Sequence, residues 1–528
     1  MKKFLYTLSL MACASLFQAC DNLLEEEPQY TLNEQTLFTD SKSAQLALNA
    51  CYGYLAAHGV YGQSLISVSD IGSGLGRENK NGDNLNSLGT AMTASGGGGE
   101  VFRLWNGLYK TISECNIFIN AVNRSSLENK DYLLGQAKFI RALSYYNLAF
   151  LFGGVPLKLT PPTPETTDVP RSTKAEVVNQ VIKDLVEAEA SLKPAELEAS
   201  VPSKITVNAM LAKVYFLLGS AEGAGSSHWK TAQNYGNKVF AAMGEVPLEE
   251  SFAKLFNENT RTSKEAIFLL NYSTQGVNQS WNKNSWMYSP QNSTVNGINF
   301  GTRSASRAFY TYYTTSHPND PRIDATFFHK SYQRMKPTVA TVNLYPLVKA
   351  FNVTGYPLIK KHFDSQQQGQ VSGKMFIVYR YADFLLLMAD VENELGNTGA
   401  AVKYVNRVLA RARGSVSPAA SSPIDVPANI SQIDLRQFIF DERHFELFGE
   451  GHSFMDARRR GTEFLSQITK RHNLQADAIS GFTTATAFTE YRLPEAGAAL
   501  EKAMLMPIPT QEISTNKAIE QEDQNPGY

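Results

Sequence analysis

The chain has 528 residues, 43% of them hydrophobic, which is ample apolar material for a large buried core. With 49 Lys and Arg against 50 Asp and Glu the net charge is −1, so no polyanion partner such as nucleic acid is implied. The one basic cluster, Arg458-Arg459-Arg460, is too short to form a nucleic-acid stripe.

The first element is a leader. Met1-Lys2-Lys3 is a short basic start, and Phe4 to Phe17 is a mostly apolar, uncharged stretch too short to span a membrane. It ends at Ala19-Cys20, followed at once by Asp21-Asn22-Leu23-Leu24-Glu25-Glu26-Glu27-Pro28. A small residue before a cysteine at this point is the pattern of a bacterial lipoprotein. Cleavage after residue 19 would free Cys20 for acylation, and the acyl chains would anchor the chain to a membrane. Cys13 is a rival that leaves a cramped apolar segment, and an ordinary secretory signal is the plainer reading. Two further cysteines, Cys51 and Cys115, fall in helical patterns and read as small core residues or as a disulfide pair.

Beyond the leader most of the chain reads as helix. Apolar residues recur at helical spacing over 42–57, 102–122 and 132–152. Ser172, with Glu176 behind it, is placed to cap a helix that runs to Leu192 and stops before Pro194. Residues 204–218 and 229–243 form a helix, a Gly/Ser-rich turn and a second helix. Ala212, Tyr215 and Gly219 in the first complement Ala232, Tyr235 and Val239 in the second. The stretch 379–412 repeats that plan at the length of a tetratricopeptide unit. The copies are too few and too far apart for a regular solenoid, so the expectation is a helical scaffold interrupted by insertions.

Two insertions stand out. Residues 70–100 are Gly/Asn-rich, and 271–375 are loop-like with aromatics among Asn, Ser, Thr and Gly. Short strands over 266–270 and 376–379 are expected to bound the second. Irregular stretches of this length more often carry function than act as passive linkers.

The chemistry-bearing motifs are mostly missing. The eight histidines fall at no zinc-ligand spacing, and there is no HExxH, CxxC or GxSxG. Gly72-Ser73-Gly74-Leu75-Gly76 is neither a P-loop nor a dinucleotide fingerprint. Glu442, Glu446 and Glu450 share a helical face, and Arg436, Arg443 and Arg458 are close enough in sequence to neutralise them. Structural ion pairing therefore outweighs acid–base catalysis there, and no catalytic residue, metal or cofactor is assigned.

The aromatic loops carry the functional signal. A sugar ring offers an apolar C–H face bordered by hydroxyls, which a flat indole or phenol flanked by amides, carboxylates and guanidinium groups suits. Trp281, Trp286 and Tyr288 lie among Asn282, Lys283, Asn284 and Ser285, and the first loop adds Asp70, Arg77, Asn79, Asp83 and Asn84. The expectation is a platform of Trp281, Trp286 and Tyr288 assisted by Asp70 and Arg77. The competing reading makes these rings plugs that fasten the loop to the helical body.

Several longer motifs follow in order along the chain. They are the Cys20 segment, Leu104-Trp105-Asn106-Gly107-Leu108-Tyr109 with Asn116, residues 137–146, and Phe152-Gly153-Gly154-Val155-Pro156-Leu157. Asp320-Pro321-Arg322, Tyr379-Arg380-Tyr381-Ala382-Asp383, Asp441-Glu442-Arg443, Pro507-Ile508-Pro509 and Gln524-Asn525-Pro526-Gly527-Tyr528 complete the series. Together they resemble the SusD/RagB outer-membrane lipoproteins of Bacteroidetes. His444, Asp390-Val391 and 454–458 depart from the family pattern, all within scaffold motifs. The resemblance implies a mostly α-helical SusD-like fold with tetratricopeptide-like pairs, long irregular insertions and a few short β segments. It divides the chain into a leader over 1–19, an N-terminal helical region over 20–230 and a C-terminal region over 265–528.

It also implies a non-enzymatic, cofactor-free protein, lipid-anchored to the outer membrane and facing the exterior. Such a protein binds a glycan, or a peptide in the RagB branch, and passes it to a TonB-dependent SusC-like transporter. A surface hydrolase is the remaining alternative. Family ligand residues lie in variable loops and do not transfer by motif.

Cys20→Ala should abolish incorporation of labelled palmitate and release the protein into the soluble fraction. Labelling lost with Cys13→Ala instead would move the cleavage site.

Overall fold

The computed structural model describes residues 38, 40–78, 99–244, 248–257, 263–274, 282–344, 356–479 and 492–528. Cys20, Trp281, Asn79, Asp83 and Asn84 lie outside them.

The N-terminal half is an array of helices: α1 (Ser41–Ala56), α2 (Ser64–Gly72), α3 (Glu100–Arg124), α4 (Lys130–Phe152), α5 (Lys174–Ser191), α6 (Lys204–Glu222) and α7 (His228–Met243), with strand β1 (Gly76–Glu78) after α2. Their starts follow from local chemistry. The Asp40 carboxylate caps α1 by accepting from the backbone N–H groups of Lys42 and Ser43. The capping box of α5 pairs Glu176 with Thr173 rather than Ser172, because the box needs its acid three residues after the cap. Gly219 is required by packing, since a Cβ there would lie 2.8 Å from the Trp229 indole. That close approach seats α7 on α6.

The insertion after α7 is not structureless. It opens with β2 (Ala266–Leu270) and continues through α8 (Asn284–Tyr288), β3 (Arg303–Ala305), α9 (Arg307–Ser316), α10 (Pro321–Thr326), β4 (Phe327–Phe328), β5 (Ser331–Arg334), β6 (Ala340–Asn343) and β7 (Leu358–Ile359), closing with β8 (Phe376–Arg380). The bounding strands β2 and β8 pair antiparallel with each other, so the insertion leaves and re-enters the scaffold at one place. A small sheet of order β1-β3-β7-β4 ties the first insertion to the second. Tyr310 and Tyr313, within the stretch that reads as loop-like, are buried on α9.

The C-terminal part adds α11 (Tyr381–Glu394), α12 (Thr398–Gly414), α13 (Gln432–Leu447), α14 (Ser453–Arg458), α15 (Thr462–Ile479), α16 (Gly497–Lys502) and α17 (Thr510–Thr515). The tetratricopeptide-like pairs α6/α7 and α11/α12, distant in sequence, pack together. Phe240 of α7 meets Phe384 at 5.0 Å and Tyr404 at 5.3 Å. One hydrophobic core runs from Ala44 to Ile508 through both halves. Cys51 and Cys115 lie in it as free thiols. Among the described residues no helix is long and apolar enough to cross a membrane.

The tail motif closes the fold. Asn525 donates from Nδ2 to the carbonyls of Phe152 (2.8 Å) and Met506 (2.6 Å) and accepts from Arg171. Gln524 both accepts from and donates to the Ile508 backbone, and the Tyr528 hydroxyl reaches the carbonyls of Lys502 and Leu505.

The three glutamates do form ion pairs, with other partners than the nearby arginines. Arg322 binds Glu442 at 2.5 Å, Glu446 at 2.8 Å and Asp320 at 2.7 Å. Arg380 binds Glu446 and Glu450, both at 2.6 Å, and Glu265 at 2.9 Å. Arg411 joins Glu265 and Glu446, and Lys361 pairs with Glu450 at 2.7 Å. Arg436 instead holds Glu394, Arg443 holds Asp383 and Asp456, and Arg458 donates to backbone carbonyls. Sequence proximity failed here because α13 turns Arg436 and Arg443, and α14 turns Arg458, toward other elements. Burial alone would raise the Glu446 carboxyl, but Arg411, Arg380 and Arg322 outweigh it and hold the group well below the usual carboxylate range.

Glu446→Gln should therefore cost about 3–5 kcal/mol of unfolding free energy in urea at pH 7, because it leaves buried guanidinium groups under-compensated. The sign with pH follows from a depressed folded-state pKa. The stabilisation is full above the unfolded value of about 4.3 and is lost as pH falls below it. The variant should thus approach wild type in acid, and a constant deficit at every pH would contradict the electrostatic origin.

Candidate functional site

The two insertions meet on one face. Strand β1 pairs with β3 in the register Gly76↔Ala305, Arg77↔Ser304 and Glu78↔Arg303. The segment before α8 is fastened to the chain after α1. Lys283 donates its backbone N–H to the Gly62 carbonyl at 2.9 Å, and Asn284 donates from Nδ2 to the Tyr61 carbonyl at 3.0 Å. Asn282 reaches across to the carbonyl of Lys374 at 2.9 Å. The loops expected to carry the platform are therefore neighbours, held by backbone bonds to the helical body.

Trp286 and Tyr288 part ways. On a helix, residues two apart point to opposite sides. Tyr288 turns inward, 1% exposed, with its hydroxyl donating to Ser67 Oγ at 3.3 Å and its ring 4.8 Å from His362. Burial raises its phenol well above 10, and burial together with Lys374 pushes His362 down to about 3, leaving it neutral. The platform role expected of Tyr288 is corrected: it is a plug.

Trp286 is half-buried. Its ring lies 5.2 Å from Phe300 at 49°, and the Lys283 ammonium sits 5.4 Å from its centroid. The indole Nε1 is buried without a hydrogen-bond partner among the described residues. Phe300, 39% exposed, stands beside the exposed Val295 and Ile298. Phe300 was missed in the sequence, where Asn299-Phe300-Gly301 was a single aromatic in a polar loop.

Asp70 and Arg77 are also corrected. Asp70 lies on α2, not in a loop, and is 1% exposed. Its Oδ1 accepts from Ser453 Oγ at 2.9 Å and from the Gly449 N–H at 3.4 Å, which ties α2 to the start of α14. Arg77 is 7% exposed, with its guanidinium 4.3 Å from the Tyr356 ring, against which Arg307 also lies at 4.8 Å. Neither is exposed on the face. Behind them Glu100 accepts from Gln63 and Ser64 and pairs with Arg103 at 3.0 Å and Arg303 at 3.4 Å. Arg303 in turn pairs with Glu78.

What remains toward solvent is an aromatic step, Trp286 with Phe300, edged by Lys283 and apolar side chains. Such a surface can stack on a flat apolar face. Among the described residues no group of three or more His, Cys, Asp or Glu is arranged to hold a metal ion.

Comparison with known proteins agrees with this architecture. A family model described as the SusD family matches residues 248–528, and one described as starch-binding, associating with the outer membrane, matches residues 28–216. SusD-like protein P2 of Formosa agariphila is 26% identical over 501 residues, covering 87% of this chain and 91% of its own. A solved SusD homolog from Bacteroides thetaiotaomicron superposes with a TM-score of 0.78 at 19% identity, covering 95% of this chain and all of the homolog. A SusD-like carbohydrate-binding protein from Bacteroides fragilis gives 0.70 at 20% identity, over 91% of this chain and 99% of its own.

The buried Asp70 yields a pH test. Burial pushes its carboxyl up to about 7, against partial relief from the Ser453 and Gly449 hydrogen bonds. A raised folded-state value stabilises the fold fully below the unfolded pKa of about 3.9, and that contribution is lost as pH climbs toward 7. Asp70→Asn should match wild type near pH 4 and exceed it in melting temperature at pH 8. An equal offset at both pH values would refute the assignment.

Proposed function

The chain belongs to the SusD family, and from that premise we propose that it is a cell-surface lipoprotein that binds a glycan and delivers it to a SusC-like TonB-dependent transporter. The anchor of this reading is Cys20, and the partner is a β-barrel in the outer membrane. Membrane association is supported by the description of the family matched over residues 28–216, and ligand class by the carbohydrate-binding relative. The protein acts by binding and hand-over, with no catalytic residue and no cofactor.

The observation that carries the ligand class is the Trp286–Phe300 step. Two rings 5.2 Å apart are held partly open to solvent, whereas Tyr288, Arg77 and Asp70 are buried. Its apolar surface suits the C–H face of a sugar ring, and Lys283 at its edge suits a hydroxyl. The 300 loop is pre-set for contact. Asn299 donates from Nδ2 to Gln367 at 2.9 Å, and Gln367 donates to the Ile298 carbonyl at 2.7 Å. Pre-set loops lose less entropy on binding. Trp281, immediately upstream, belongs to the same proposed platform.

Calorimetry with a panel of oligosaccharides tests the reading. Trp286→Ala and Phe300→Ala should each weaken binding by about 1–3 kcal/mol with unchanged melting temperature. Tyr288→Ala should instead lower the melting temperature. Affinity untouched by both surface variants, or retained only for peptides, would overturn the glycan platform. Gentle detergent extraction of the outer membrane should recover the protein with a much larger β-barrel partner, and recovery only as a free chain would overturn delivery.

A further inference from the structure

A cleft of about 590 Å³ lies away from the 282–300 face, between α3, the strap over 157–169 and α17, and shares no lining residue with that face. We propose that it is a second ligand site, for an uncharged sugar unit. The proposal shares only its ligand class with the function proposed above.

The cleft is built rather than left over. Its floor is Trp105, 2% exposed, whose Nε1 donates to Glu512 Oε2 at 3.3 Å. Tyr109 lies 5.0 Å from Trp105 and donates from its hydroxyl to the Pro156 carbonyl at 2.9 Å. Both rings are thus oriented by bonds to the walls. The walls are themselves stitched together. Asn116 donates from Nδ2 to the carbonyls of Lys158 and Thr160, at 2.8 and 3.2 Å. Asn516 donates to the Val169 carbonyl at 2.9 Å, and the Lys517 N–H reaches Asp168 at 3.2 Å. A cleft of this size falls within the usual range for small-molecule sites, about 300–1,000 Å³.

Charge decides the ligand class. Lys110 and Lys158 face Glu165, Asp168 and Glu512 around the cleft, two cations against three carboxylates, so an anion is disfavoured, while Glu512 and Asp168 already accept from Trp105, Asn516 and the Lys517 N–H. The Lys158 ammonium approaches Glu512 only to 3.9 Å and lies 5.5 Å from the Tyr109 ring, which leaves its donors available. Asn106, Gln511 and Thr515 are exposed lining residues that supply uncharged donors and acceptors. The partly exposed Phe102 and Tyr109 rings, with amides, a hydroxyl and charges of both signs, match a ring that has apolar C–H faces and neutral hydroxyls.

The test uses the full chain in detergent with maltoheptaose, cellohexaose, xylohexaose, laminarihexaose and mannohexaose, alongside an oligogalacturonate. Crystals grown with a saturating neutral sugar should show it in the cleft, and the oligogalacturonate should not enter. Asn106→Ala and Gln511→Ala should each weaken this site three- to tenfold, and Ser113→Trp, which fills the cleft, should abolish it. The Trp286→Ala, Phe300→Ala double variant should retain it. If Ser113→Trp unfolds, the two exposed alanine variants still decide the outcome. An empty cleft with all five sugars, or binding unaffected by the alanine variants, overturns the proposal. Loss of all sugar binding in the double variant overturns it as well, while leaving the 282–300 platform standing.

Discussion

The fold turns on the carboxylate of Glu446. It meets Arg322, Arg380 and Arg411, which come from α10, from the end of β8 and from α12, while Glu446 itself sits near the end of α13. Glu265, just before β2, and Glu450, just past α13, complete the set. Carrying these charges out of water costs several kcal/mol each, and attraction compensates only where the geometry is close and the remaining lone pairs are satisfied. That condition is met, because Arg380 alone makes bonds to three carboxylates and to the Glu446 carbonyl. A greasy contact would hold these elements together at many angles. A shared carboxylate holds them at one.

That junction is also where the insertion begins and ends. Glu265 and Arg380 flank the β2–β8 pair, so the ion cluster clamps the root of more than a hundred residues of irregular chain. Lys361, from the far side of the insertion, comes back to the same cluster through Glu450. Asp70 then binds the turn that contains Glu450, through Gly449 and Ser453. The exposed aromatic step therefore rests on a continuous path: step, α8, α2, the 449–453 turn, and the buried charges. Each link is a named hydrogen bond or ion pair. The motifs Asp320-Pro321-Arg322, Tyr379-Arg380 and Asp441-Glu442-Arg443 all contribute residues to this region or to the Asp383–Arg443–Asp456 cluster beside it.

Helices were legible because their evidence is local. Periodicity, caps and stops lie within one stretch of chain, and the N-cap of α5 moved by only one residue. The strands bounding the insertion were legible as short apolar runs, but their pairing was not, because registry depends on what lies between them. Ion partners were misassigned for the same reason: Arg322 is over a hundred residues from Glu442, and no spacing rule reaches that far. At the candidate site, Trp286 and Tyr288 have the same composition around them and the same apparent chemistry. Two positions on one short helix sent one to the core and the other to the surface. Asp70 and Arg77 were drawn as loop residues because glycines follow and precede them, yet α2 and β1 bury both.

The pattern of burial also bears on how the face can recognise anything. Stacking on an indole gains little if the ring must first be ordered from many rotamers. Here the Trp286 carbonyl accepts from the Phe300 N–H at 2.9 Å, so the two rings are registered through the backbone and not by their side chains alone. Ile298 donates its N–H to the Gly369 carbonyl, and Lys336 donates to the carbonyls of Gly297 and Val295. Three segments of the insertion thus restrain one short loop. The residues first expected to bind, Tyr288, Asp70 and Arg77, are buried instead. Their burial keeps those polar groups off the surface, so under the proposed glycan-binding role stacking is the main interaction left to this part of it.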